Sequence, residues 1–416
     1  MNSLSKKIPC EPKQIIKWVY LILSAAAIGL ICGAIGGAFA RSIAFVTALR
    51  TEHPWILYLL PIGGLVSVGI YKLAKTEGIG TNTVIETARG ESETPALLIP
   101  TVFVSSVITH LFGGSAGKEG AALQLGSGVA SLISKITKAD VKTRSVLTLC
   151  GMAALFSAVF GTPVGACVFA FELAFAGSIN ALALFPVAVS GISAHFISKL
   201  IGVTPERFHI SDVPDFEAGA LLRTLGVAVI VSLTASVFCR LLHGGEKLFE
   251  KAFANPFIRI FSGGCAVIIL TLIFGTDYNG GGMFVIERIF EEGTVHPEAF
   301  LLKIIFTVIT VSAGYKGGEI VPSFFIGATL GAALSAFFGL PISFAAAIGM
   351  TAFFGGVTNC TITAAVLSVE LFGAEGFIMF AAAAFISRAF SGKITLNKSS
   401  CKNNSFSYSD YINKLL

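Results

Sequence analysis

The sequence predicts an all-α membrane protein: a helical bundle of two repeated halves whose helices are broken and re-entrant. Three observations carry that reading. Hydrophobic residues fill 54% of the 416 positions and charged residues only 13%, against roughly 25% charged in a soluble globular chain. Apolar runs of about 20 residues, enough to cross a hydrocarbon core, recur along the chain. Glycine-rich breaks interrupt those runs at corresponding places in two halves, the sequence sign of a transporter with its site at the midplane. This composition excludes a soluble enzyme, a disordered chain and a nucleic-acid-binding domain. The 45 glycines suit helices that pack closely or break inside the bilayer.

In chain order, residues 1–15 form a polar segment. Lys6, Lys7, Lys13 and Lys17 cluster there, ahead of and at the edge of the first apolar run. The first repeat half spans 16–201. Its opening run, 16–47, is longer than a perpendicular crossing needs and predicts a tilted helix. It is also too long for a signal-peptide core, and no cleavable signal is expected. A second helix is expected at 55–74. The break Thr76-Glu77-Gly78-Ile79-Gly80-Thr81-Asn82 precedes a short helix to about Arg89. Residues 96–113 are apolar. The break Gly113-Gly114-Ser115-Ala116-Gly117-Lys118-Glu119-Gly120 leads into a helix to about Ser134. Short pieces at 144–158 and 161–176 are split at Gly161-Thr162-Pro163, and 180–201 is a fuller span.

The polar stretch 202–217 reads as a hinge between the halves. The second half, 218–392, has spans at about 218–243, 257–275 and 298–314. The break Gly314-Tyr315-Lys316-Gly317-Gly318-Glu319 leads into a helix from Ile320 to Leu340, and pieces at 342–354, 359–372 and 375–391 close the half. Lys393, Lys398, Lys402 and Lys414 lie in the polar segment 393–416. With the N-terminal lysines they place both ends in the cytoplasm, which requires an even number of crossings. The two halves echo each other in chemistry: 115–120 and 312–319 each give small residues, a lysine, a glutamate and a small-residue helix. Gly161 to Glu172 parallels Asn359 to Glu370.

The eight cysteines, Cys10, Cys32, Cys150, Cys167, Cys239, Cys265, Cys360 and Cys401, form no C-x-x-C pair and sit mostly inside apolar runs. Free cysteine there acts as a small hydrophobe. The histidines show no H-E-x-x-H pattern. No disulfide, metal or organic cofactor is expected.

Charges within apolar regions are few: Lys118, Glu119, Glu172, Lys316, Glu319, Glu370 and Arg388. Each costs about 2.5–3.5 kcal/mol on insertion scales and should face a cavity or a partner. The breaks indicate what a cavity would hold. A helix that starts inside the membrane leaves its first N–H groups unpaired, and they attract anions. Three such starts are present: after Gly80, at Glu119-Gly120, and at Glu319-Ile320-Val321-Pro322. Pro322 stands in a first turn, where its missing N–H costs nothing.

As a set these breaks resemble the CLC anion channels and proton-coupled antiporters. Gly78-Ile79-Gly80-Thr81-Asn82 resembles the family's G-S-G-I-P, Gly117-Lys118-Glu119-Gly120-Ala121 its G-[KR]-E-G-P, and Gly318-Glu319-Ile320-Val321-Pro322 its G-x-F-x-P. They occur in family order over nearly the whole chain. The resemblance implies a CLC-type inverted-repeat helical bundle, a homodimer with one pathway per subunit, and an ion site at Gly78, Ile79, Gly80, Gly120, Ile320 and Val321. It implies that Glu119 is the gate and proton carrier. The bland reading of Glu119 is an ion pair with Lys118.

Departures from the family pattern point to one branch. Ile79 stands where the family has serine, so no hydroxyl binds the ion there. Ile320 stands where phenylalanine is usual. The inner proton-transfer glutamate of chloride/proton antiporters aligns with Leu173, next to Glu172. A glutamate stands instead at Glu319, as in the fluoride-exporting branch. That branch's central tyrosine aligns with Asn397, which leaves the inner gate to Asn397 or to Tyr408 or Tyr411 of the tail. Glu319 reads as a second proton or fluoride site or as a helix N-cap, roles it can combine. Glu172 and Glu370 read as helix-end or interface glutamates. Lys118 and Lys316 raise the potential for anions or snorkel to an interface, and Arg388 is a helix-end charge.

The expected function is proton-coupled anion antiport in a bacterial inner membrane, exporting fluoride against protons, not enzymatic chemistry. Its partners are fluoride, protons, lipid and a second copy, with no nucleic acid. A chloride/proton antiporter or passive chloride channel is the alternative, and a membrane scaffold or enzyme without ion flux is the reading from another class.

Overall fold

The computed structural model describes residues 12–175, 181–392, 394–397 and 399. Among them are sixteen α-helices and no strand beyond one isolated two-residue bridge. The first half contains α1 (Pro12–Glu52), then a short 3-10 helix at Pro54–Leu59, α2 (Leu60–Leu73), α3 (Thr81–Ala88), α4 (Leu98–Leu111), α5 (Glu119–Ile136), α6 (Val141–Phe160), α7 (Pro163–Phe175) and α8 (Ala181–Leu200). The second contains α9 (Ala218–Ala252), α10 (Pro256–Phe274), α11 (Met283–Glu292), α12 (Ala299–Ala313), α13 (Ile320–Phe338), α14 (Ile342–Thr358), α15 (Thr361–Phe372) and α16 (Phe377–Phe390). Seven of the described helices are long and apolar enough to cross a bilayer by length and composition. Tyr408, Tyr411, Lys393, Lys398, Lys402, Lys414, Lys6, Lys7, Cys10 and Cys401 lie outside the described residues.

The expected elements are present with shifted ends, the helix expected at 55–74 opens as the 3-10 helix Pro54–Leu59, and two larger differences stand out. The helix expected at 218–243 runs on to Ala252. The sequence reading assigned no element between 276 and 297, where α11 forms. That helix follows Gly280-Gly281-Gly282, just as α3 follows Gly78 and Gly80.

Each half has eight helices in the same order, and paired contacts show how the halves are related. Glu172, near the end of α7, accepts hydrogen bonds at the start of α15, from Ile362 N at 3.0 Å, Thr363 N at 2.7 Å and Thr363 Oγ1 at 2.7 Å. Glu370, near the end of α15, accepts from Val164 N at 3.0 Å and Gly165 N at 2.6 Å at the start of α7. Two helices that cap each other's starts with their own ends run antiparallel. The operation relating the halves therefore reverses chain direction. Both glutamates are the helix-end residues the sequence suggested, and each satisfies amides that a helix start leaves unpaired. Glu172→Ala strips a carboxylate from three donors in a buried site. It is expected to lower stability by about 3 kcal/mol, read as a depressed melting temperature in detergent, with Glu172→Gln milder.

Each half wraps its own buried helix, α6 in the first and α14 in the second. Helices α6 and α14 are buried almost all round, which explains their apolar character on every face. Helix α5 crosses α6 at Gly126 and Gly151. Helix α13 crosses α14 at Gly327 and Gly349. At both crossings a Cβ on either glycine would strike the partner's backbone carbonyl, so only glycine permits these approaches.

The stretch between the halves has no helix from about 203 to 216 but is anchored. Glu206 N donates to Phe160 O at 3.1 Å and Phe208 N to Leu371 O at 2.9 Å. Phe208 stacks on Phe290 at 4.9 Å between centroids. The hinge expected at 202–217 is a packed connection.

Candidate functional site

The starts of α5 and α13 meet. Gly117 N donates to Gly318 O and Gly318 N to Gly117 O, both at 2.6 Å. The approach is close enough that a Cβ at Gly120 would lie 2.9 Å from Gly318 Cα. This reciprocal pair sets the correspondence of the halves. Taken as a local two-fold that exchanges Gly117 and Gly318, it makes Lys118 equivalent to Glu319, Glu119 to Ile320 and Gly120 to Val321. Matching the two loops lysine to lysine and glutamate to glutamate is thereby corrected. Backbone pairing decides the register, and the two glutamates are not equivalent positions.

Glu119 is the first residue of α5 and is fully buried. Its Oε2 accepts from Val321 N, in the first turn of α13, at 3.4 Å. Its Oε1 has no hydrogen-bond partner among the described residues. Gly117 lies directly beneath the carboxylate, where a side chain would collide with Oε2. A carboxylate of one half thus sits at the helix start of the other, where unpaired amides and the helix dipole favour negative charge. Val321, Gly120 and buried Ile320, three of the residues the sequence proposes for an ion site, lie at these two helix starts.

Lys118 does not pair with Glu119. Its Nζ lies 3.2 Å from Glu206 Oε1, in the connection between the halves. Both line a cavity of about 290 Å³ that reaches Glu119 and Val321. Arg50, His110 and Asn279 line it too, residues that sequence reasoning missed. Arg50 bonds the His110 carbonyl. The loop before α11 forms part of the wall and is held from behind. Asn279 Nδ2 donates to Gly113 O at 2.9 Å. Lys303, fully buried, donates to Tyr278 O at 3.0 Å and Gly280 O at 2.7 Å and lies over the Phe325 ring. The glycine run before an amphipathic segment was the available sign of this loop. The chain positions of Arg50 and Lys303 carried none.

Gly78, Ile79 and Gly80 are elsewhere. Gly78, with φ +75°, opens on a second cavity of about 220 Å³ bordered by Tyr71, Arg259, Gly314 and Lys316. Lys316 Nζ stands 4.5 Å from the Tyr71 ring centroid. A bond of 3.5 Å from Gln124 Nε2 to Thr81 Oγ1 ties α3 to α5. Of the predicted ion-site residues, Val321 lines the first cavity beside Glu119 and Gly78 lines the second beside Lys316.

Glu319 precedes α13, and its side chain makes no capping hydrogen bond. It is half-buried, with Lys316, Glu246 and His243 as its titratable neighbours. Leu173 is buried in the core. Arg388 stands in the last turn of α16 and donates to Gly392 O at 3.5 Å. Asn397 is half-buried in a segment that crosses from α9 to α3. In that segment Leu396 N donates to Val357 O at 2.9 Å, and Ser399 N to Asn82 Oδ1 at 3.0 Å.

Comparison with known proteins accords with this geometry. A sequence profile of the family described as voltage gated chloride channel matches residues 62–392. The chain is 30% identical over 387 residues to the "Chloride/fluoride channel protein" of Pseudomonas syringae pv. tomato, covering 91% of this chain and 85% of that one. It is 24% identical to the "H(+)/Cl(-) exchange transporter ClcA" of Cronobacter sakazakii, over 75% of this chain and 72% of the relative. A crystal structure of a CLC-type fluoride/proton antiporter superposes with a TM-score of 0.90 at 30% identity, covering 94% of this chain and 98% of that one. A slow cyanobacterial Cl-/H+ antiporter shares the fold, with a TM-score of 0.78 at 18% identity over 89% of this chain and 94% of that one.

Proposed function

Because this chain belongs to the voltage-gated chloride channel (CLC) family of integral membrane proteins, we propose that it is a proton-coupled antiporter that exports fluoride from the cytoplasm in exchange for protons. One observation carries the reading. The buried Glu119 carboxylate occupies the amide site at the start of α13, the place an anion would take.

The mechanism follows from competition. A charged carboxylate and an anion repel at close range and cannot share the Val321 amide. A proton arriving from the first cavity neutralises Glu119, which leaves the amide, and the anion enters. When the anion leaves, the carboxylate returns only after it has passed its proton inward. Protons entering thus drive the anion out, each in its own half of the cycle.

Fluoride rather than chloride rests on Glu319 and on the similarity to the fluoride-handling relatives. A protonated carboxyl donates a hydrogen bond, and fluoride is the strongest acceptor among the halides. Glu319 stands on the far side of the Gly117–Gly318 bridge from Glu119, in Lys118's register. Asn397 holds the tyrosine's place at the inner gate. Both termini lie in the cytoplasm, the second cavity opens there, and the membrane is the inner membrane of a bacterium. Two copies form the working unit, each with its own pathway.

The test is ion flux from purified protein in liposomes. A fluoride gradient is expected to drive proton movement, and a matched chloride gradient to drive about tenfold less. Equal proton movement with both anions supports a chloride-type antiporter. Anion leak without protons supports a channel.

A further inference from the structure

We propose that the second cavity is a station for the transported anion, built from side chains rather than helix-start amides: Ser67 and Tyr71 of α2, Arg259 of α10 and Lys316 of the connection into α13. This deepens the antiport reading above and rests on it for the identity of the anion.

The four residues border one space of about 220 Å³, against ~30 Å³ for a water molecule. Ser67 and Tyr71 stand four positions apart on α2 and so share one face. They are only 1% and 4% exposed, and the hydroxyl oxygen of each has no hydrogen-bond partner among the described residues. The same is true of Arg259 Nε, on α10. The Arg259 Nη1 atom lies 3.8 Å from Glu250 Oε1, too far for a hydrogen bond, and the Glu250 side chain is 66% exposed, so water screens it. Lys316 Nζ stands over the Tyr71 ring, 4.5 Å from its centroid, and no carboxylate forms an ion pair with it among the described residues.

Buried polar atoms without partners are costly and rare. Two hydroxyls, a guanidinium and an ammonium can all donate at once, so an acceptor satisfies the whole set. A negative one also answers the charge. Arg259 and Lys316 are the cations of the lining, and Glu77, its acid, is exposed to solvent. Water would pair with the hydroxyls but leave the two cations without a counter-charge.

The station is placed for transfer. Gly78 and Gly314 border the cavity without side chains. Lys316 is two residues from Gly318, at most about 7 Å along the chain, and Gly318 pairs with Gly117 beside the starts of α5 and α13. An anion held here waits close to the amide site that Glu119 occupies, and the two cations raise its local concentration.

The test separates anion binding from packing. Tyr71→Phe keeps the ring beneath Lys316, and Ser67→Ala keeps the helix; each removes one hydroxyl. A hydroxyl that only sits unpaired in the core is a cost, so its loss would raise the melting temperature and leave fluoride dependence alone. Fluoride flux from liposomes is measured over a series of sodium fluoride concentrations at constant ionic strength, for wild type, Tyr71→Phe, Ser67→Ala and Lys316→Gln. Half-saturating fluoride is expected to rise about tenfold in each variant, with the proton-to-fluoride ratio kept because Glu119 is intact. Wild-type half-saturation in all three variants overturns the station. A rise in Lys316→Gln with wild-type values in both hydroxyl variants overturns it as well and reduces Lys316 to a source of positive potential. If Lys316→Gln does not fold, Tyr71→Phe and Ser67→Ala decide on the same terms. Wild-type protein that carries fluoride without protons overturns the antiport reading and leaves the half-saturation values to decide the station. Wild-type protein that carries no fluoride overturns both.

Discussion

Glu119→Gln is expected to abolish proton movement driven by a fluoride gradient, a loss of about a hundredfold or more. Glutamine is nearly isosteric and its carbonyl oxygen still accepts from Val321 N, so the α5 and α13 starts keep their contact. What disappears is the ability to lose charge. In the native protein Oε1 has no partner among the described residues, so a proton placed there breaks no existing hydrogen bond. The carboxyl alternates between a charged occupant of the amide site and a neutral group that yields it. Glutamine is fixed in the neutral condition and carries no proton through a cycle. Parallel fluoride-electrode and pH recordings on liposomes check this. Proton uptake at the wild-type rate in Glu119→Gln would remove Glu119 from the proton path and break the competition mechanism.

Glu319→Gln distinguishes a structural from a transporting carboxyl. The side chain makes no capping bond to α13, whose first turn is instead closed by Ser323 N and Ser323 Oγ on the Glu319 carbonyl, at 2.9 and 2.6 Å. Those bonds use the backbone and survive the substitution. Little stability should therefore be lost. Coupled fluoride flux is expected to fall at least about tenfold, ~1.4 kcal/mol in barrier, because glutamine can neither accept a proton nor donate an O–H to fluoride. A folded Glu319→Gln protein with wild-type coupled flux would make this residue structural and weaken the fluoride reading with it.

Lys118 shows where local reading stops. In sequence it adjoins Glu119, which suggests an ion pair. In the fold it reaches Glu206, 88 positions away, because the side chains of consecutive residues at a helix start point in different directions. One goes into the first cavity and the other under α13. The two glycine-rich loops show the same limit. Their composition suggested matching the glutamates, but the two-fold implied by the Gly117–Gly318 bridge shifts the match by one and makes Ile320 the equivalent of Glu119. Composition carries no register; paired N–H and C=O groups do.

Apolar run length, glycine breaks and isolated charges are local properties, and each depends only on what a segment can bury or leave unpaired. From them the sequence by itself determined the membrane bundle, its two halves, most helix positions and the helix starts that meet at Glu119. It also supplied the glutamates Glu119, Glu172, Glu319 and Glu370. Tertiary structure alone decided which start each carboxylate faces: Glu119 at Val321, Glu172 at Ile362 and Thr363, Glu370 at Val164 and Gly165. It also decided that Gly78 and Glu119 open on different cavities and that Lys303 and Arg50 back the wall of one. These pairings join residues far apart in the chain. They form because an unpaired buried amide or charge is costly, and each finds its partner only once the halves have packed.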